Sequence, residues 1–111
     1  MVPILSELQL ATNSLELIRR DFGLDETTEL SDDGNPMEQL HRFLTSVVTY
    51  LLEKDFGQLM NSLYRIDVSE ERVKQILELS VPEQMASDLS WAIIERERQK
   101  VKTRMKYTSG H

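Results

Sequence analysis

Eight apolar residues between positions 37 and 52 set the tightest limit on what this chain can become. Met37, Leu40, Phe43, Leu44, Val47, Val48, Leu51 and Leu52 recur at the three- and four-residue steps of an α-helix rather than the two-residue step of a strand. Together they cover an arc too broad for one neighbour, as in a central helix packed on several sides. Its start is also marked. Asn35 as N-cap, Pro36 at the first helical position and Glu38 at the third form a capping-box-like signal. The stretch "SVVTY" has local strand propensity, but cap and length favour helix. A helix of this kind needs other helices around it.

The remaining sequence supplies them. Over roughly residues 3–22, Ile4, Leu8, Ala11, Leu15, Ile18 and Phe22 alternate steps of four and three, which lays one apolar stripe along a first helix. Thr12, Asn13 and Ser14 weaken its local propensity, and Gly23 offers a stop. The acidic loop 24–35, with Asp-Gly and Asn-Pro turn chemistry, leads into the central helix. A short third helix is expected over about 55–66, with Asp55 as N-cap and Leu59, Leu63 and Ile66 inward. "DVS" ends it, and Ser69 caps a fourth helix with Glu70 and Glu71 in its first turn and Val73, Ile76 and Leu77 as its buried face. Pro82 then opens a long C-terminal helix reaching to about Tyr107. The expectation is an all-α bundle of about five helices, with residues 1–111 forming a single domain of ordinary size.

Along the last helix the apolar side moves. Met85, Leu89 and Ile93 share one side, which continues as Arg96, Lys100 and Arg104. Trp91, Ile94, Val101 and Met105 lie opposite, with Arg98 among them, at heptad-like spacing. This predicts that the first half packs on its own domain while the second half presents Trp91, Ile94, Arg98, Val101 and Met105 as an interface. Covering such side chains is worth about 1.5–3 kcal/mol each when complete, and symmetric self-association is the commonest way to do it. The competing arrangement folds helix one back over the seam within the same chain.

The charge distribution sharpens that expectation. The net charge of −6 splits into −11 over residues 1–95 and +5 over residues 96–111, the basic distal helix being 96–107. Arg96, Lys100, Lys102, Arg104 and Lys106 form an electrostatic tail whose every-second spacing places bases on both sides of the seam. Cations there complement the helix dipole. The acids Asp25, Glu26, Glu29, Asp32 and Asp33 could face the tail in the same or a second subunit. Nucleic acid is the alternative partner for residues 96–106, opposed by the acidic remainder and by scant aromatic interleaving.

Chemistry-bearing motifs are sparse. "NSLYRIDVSEERVKQILE" has apolar residues where a helix-turn-helix wants them, but Asp67 where the turn usually has Gly, and Glu70 and Glu71 where phosphates would lie. Glu38 and His41 have E-x-x-H spacing, yet a di-iron carboxylate site needs a second such pair. The acidic loop fails as an EF-hand because Leu40 falls at the chelating twelfth position. Scattered glycines, the lack of a nucleophile elbow and exposed paired acids point to no catalytic, cofactor-binding or metal residues, hence to a protein that is not an enzyme. With no cysteine, no secretion signal in "MVPILSELQL" and only a short apolar run at 43–52, neither export nor membrane insertion is expected, and the localisation read from the sequence is cytoplasmic.

"LYRIDVSEERVKQ" followed by "IIERERQKVKTRMKY" resembles short helical proteins of bacterial genomes, over residues 63–107. That resemblance implies a bacterial cytoplasmic protein and brings no activity, cofactor or site residue. The expected role is protein–protein contact, chiefly self-association as a homo-oligomer through the C-terminal helix.

Overall fold

The central helix forms where its apolar arc and cap require it. In the computed structural model, which describes residues 5–109 and side chains through Met105, five helices follow one another: α1 (Glu7–Phe22), α2 (Pro36–Lys54), α3 (Phe56–Ile66), α4 (Glu70–Leu79) and α5 (Pro82–Ser109). Asn35 Oδ1 accepts hydrogen bonds from the Met37 and Glu38 amides at 3.0 and 3.2 Å, satisfying two of the donors that a helix start leaves open. Met37, Leu40, Leu44, Val48 and Leu51 are buried, and Phe43, Val47 and Leu52 pack half-buried against the same core. The broad arc is used on several sides: α1, α3 and α5 all pack on α2.

The other boundaries follow local chemistry. Asp55 caps α3 and Ser69 caps α4 through side-chain acceptors, and Gly23 ends α1 in the left-handed region at φ 66°. Asp67 ends α3 in the same conformation at φ 68°, one of the few non-glycine types that tolerate it. The start of α1 differs from the expected position near residue 3. Ser6 forms a reciprocal capping box with Gln9, both bonds at 3.1 Å, so the helix begins at Glu7. Ile4 lies outside the described residues.

The acidic loop is tied down by its ends rather than by its acids. Gln39 of α2 accepts from the Ser31 amide and donates to the Ser31 carbonyl, while Leu24 and Leu30 turn towards the core. All five acids at 25–33 are exposed. The 28 residues of α5 span ~42 Å at 1.5 Å each, which matches the 44 Å long axis of the molecule. No described helix is long and apolar enough to cross a membrane.

Candidate functional site

The seam on α5 is partly covered by its own chain, as in the competing arrangement in which helix one folds back over it. Ile94 and Val101 are buried, while Trp91, Arg98 and Met105 are half-buried. Val101, Arg104 and Met105 face Asn13, Glu16 and Leu17 of α1. Trp91 stacks on His41 of α2, ring centroids 4.1 Å apart and planes inclined by 10°. The covering surface of α1 is a second stripe, Leu10, Ser14, Leu17 and Asp21, all buried. It differs from the Ala11–Leu15–Ile18–Phe22 stripe in having two polar members, which is why an apolar count passes over it. The buried edge of α5 has the same character: Ser90, Ile94, Glu97 and Val101, again spaced four, three and four.

Ion pairs show how the two helices meet. Glu7 and Asp21 stand about 21 Å apart along α1, yet they reach Arg98 at 3.9 Å and Lys100 at 3.6 Å, two residues of α5 separated by one position. α1 therefore lies across α5. Arg96 reaches Asp67 at 3.5 Å, and Lys100 also bonds Glu97 at 3.3 Å. The basic run thus spends Arg96, Arg98 and Lys100 on acids of its own chain, and none of the described bases pairs with the loop acids 25–33. Lys102 and Arg104 are exposed, and the Lys106 side chain lies outside those described. The region left for a phosphate backbone is much narrower than the sequence run suggests.

At the crossing sits the most unusual chemistry of the molecule. Glu97 is wholly buried and Asp21 nearly so, at 0% and 6% exposure. Glu97 Oε2 and Asp21 Oδ2 are buried oxygens without a hydrogen-bond partner, and the two carboxyls meet at one cation, Lys100 Nζ lying 3.3 Å from Glu97 Oε1 and 3.6 Å from Asp21 Oδ2. Burial, then the neighbouring Asp21 carboxyl, raise the Glu97 pKa from 4.5 to about 7 against the pull of Lys100. A carboxyl pair of this kind suits proton storage. Both groups are closed off from substrate-sized ligands.

The E-x-x-H pair is not assembled as a ligand set. His41 Nε2 lies 3.0 Å from the Ser87 carbonyl, to which it can donate, and its ring is held against Trp91, while Glu38 is exposed. Among the described residues no three His, Cys, Asp or Glu side chains gather in a possible metal site.

A second feature lies between α3 and α4. The two helices diverge from the 67–69 turn, and α4 packs on α5 but hardly on α3. The result is a groove of about 470 Å³ floored by Met60, Leu63, Val68, Val73 and Leu77, with Tyr64 on its edge. Of the three residues expected to form the buried face of α4, Val73 is buried and Ile76 and Leu77 are only half-covered. Tyr64 is 80% exposed and Leu79, at the end of α4, 79%. The Asp67 objection to a helix-turn-helix is removed, since Asp67 adopts the left-handed turn itself. The objection from Glu70 and Glu71 stands, because both are exposed. No sequence periodicity announced the groove; it arises where α4 lacks a partner for half of its apolar face.

No family model matches the chain, and neither a curated protein nor a solved structure does.

Proposed function

We propose that this protein is a non-enzymatic binding domain acting through protein–protein contact, and that the α3–α4 groove receives the apolar face of a partner's amphipathic helix with basic flanks. The observation that carries this reading is the incomplete cover of Leu77 beside the highly exposed Tyr64. A folded chain seldom leaves an apolar trough rimmed by polar residues without a use for it. Helix-in-groove docking uses this shape.

Charge selects the partner. The rim carries Asp67, Glu70 and Glu78 against a single base, Lys74. Two copies meeting groove to groove would bring these acids together, so a basic partner is favoured over a second copy. A small ligand is disfavoured because the polar lining residues are exposed, and no buried polar group converges to orient it. Self-association through the α5 seam loses its support, since Ile94 and Val101 are already covered.

The test is a titration of isotope-labelled protein with two synthetic helical peptides. They share leucines at i, i+3 and i+7 and differ only in Lys/Arg or Glu flanks. The basic peptide should shift amides of α3 and α4 saturably, and Tyr64→Glu should abolish the effect without unfolding the chain. Shifts absent from the groove, or equal binding of the acidic peptide, would overturn the reading. A concentration-dependent dimer of the protein alone, dispersed by Tyr64→Glu, would give the groove to a second copy instead.

A further inference from the structure

The crossing of α1 over α5 has a mechanical asymmetry. The proximal half of α5 is held at several points: Trp91 by His41 of α2, Asp88 by Ser80, and Glu95 by Arg72 of α4. Beyond Glu97 the described ion pairs to other helices are with α1, Arg98 with Glu7 and Lys100 with Asp21; Val101 and Met105 border a cleft whose other wall is Asn13, Glu16 and Leu17, and Gln99 faces the 67–72 segment. The ion pairs that fasten the distal half therefore run to one helix, and a buried pair of acids lies among them.

Each acid keeps one buried oxygen without a hydrogen-bond partner, and a proton held by the pair would supply the donor that this site otherwise lacks. Without it, two negative charges share a closed site. The cations facing them are few. Lys100 of α5 lies 3.6 Å from Asp21 and 3.3 Å from Glu97, and Arg20 of α1 lies 3.6 Å from the other Asp21 oxygen but is mostly in solvent. Arg65 of α3 donates to the Asp21 main-chain carbonyl. Among the described residues, no charged side chain of α2 or α4 pairs with Asp21, Glu97 or Lys100. One available lysine does not neutralise two buried carboxylates.

We propose that the proton shared by Asp21 and Glu97 is a latch: while it is held, α1 stays closed over the distal half of α5, and its loss frees that half and uncovers the Leu17–Val101–Met105 seam. This inference is independent of the groove reading and concerns a different pair of helices. It assigns the heptad-like seam a conditional role, hidden at acidic pH and increasingly presented as the proton is lost.

The direction follows from linkage. The closed form binds the proton more tightly than the open form, in which Glu97 meets water. The ratio of open to closed molecules therefore rises with pH by up to about tenfold per unit between the two pKa values, then levels once both forms are deprotonated. With Glu97 at about 7 when closed and 4.5 when solvated, the window runs between those values.

Native-state amide exchange at about pH 5 and about pH 8, corrected for the intrinsic pH effect, reads this opening even when it is rarely populated. Protection over 97–105 should fall by about a hundredfold relative to protection over 89–94. Glu97→Gln, which can still donate to Asp21, should abolish the fall. Should that variant not fold, Asp21→Asn keeps Glu97 and removes its proton-sharing partner, and the fall should shrink by tenfold or more. Parallel loss over both segments, no loss over 97–105, or an unchanged pH response in the variant that folds would each overturn the latch.

Discussion

The imidazole of His41 lies flat on the indole of Trp91, with ring centroids 4.1 Å apart and planes 10° from parallel. This stack fixes α2 to α5 at the point where the apolar side of α5 begins to drift, and it removes Trp91 from the candidates for an open interface. Its neighbours lock the ring in place: Nε2 faces the Ser87 carbonyl at 3.0 Å and the Thr45 hydroxyl at 3.3 Å.

The stack can be weighed by a double-mutant cycle. Trp91→Ala should cost about 2–4 kcal/mol, somewhat below a fully buried tryptophan because the residue is only half-buried. His41→Ala should cost less, and the coupling between the two should fall near 0.5–1.5 kcal/mol. Urea unfolding of the four proteins measures it. Strict additivity would mean that the rings touch without contributing.

Val101→Glu separates a covered seam from an open one. Val101 is 5% exposed beneath α1, so a carboxylate there is forced into an apolar contact. Unfolding should become easier by about 3 kcal/mol or more, with the sedimenting mass of the folded protein unchanged. Lys102→Glu, one residue on and exposed, should stay within about 0.5 kcal/mol of wild type. A fully stable Val101→Glu protein that loses only self-association would restore the open seam.

Glu97 gives stability an unusual pH dependence. Its pKa is raised in the folded chain, so its favourable contribution is complete below the unfolded value of 4.5 and declines as pH climbs to about 7. Glu97→Gln removes that decline. The variant should gain on wild type between pH 5 and pH 8 by roughly 3 kcal/mol, read from urea midpoints at each pH. A constant difference across that range would place the Glu97 pKa at its ordinary value.

Two left-handed helix ends differ in what they demand. An added Cβ at Gly23 meets nothing within 4 Å, so the cost of Gly23→Ala is backbone strain alone, about 1 kcal/mol. At Asp67 the comparison is between replacements: Asp67→Gly should be more stable than Asp67→Ala by about 1 kcal/mol, since both lose the same exposed pair with Arg96. Thermal unfolding of the three variants decides it, and equal melting of the two position-67 variants would contradict the backbone argument.

Local chemistry determined the elements. Asn35 with Pro36, Asp55, Ser69, Gly23 and Pro82 mark boundaries through bonds made within a few residues, so they can be read without knowing the fold. The broad arc of α2 announced a helix with several neighbours for the same reason. Tertiary structure alone decided which helix covers which. α1 and α5 meet along edges where Ser14 and Asp21 alternate with Leu10 and Leu17, and Ser90 and Glu97 with Ile94 and Val101. Such edges look half polar in sequence, and the packing alone brings Lys100 beside both buried acids. The α3–α4 groove escapes sequence reasoning for the opposite reason: an apolar face is visible in the chain, but the absence of a neighbour to cover it is a property of the packed whole.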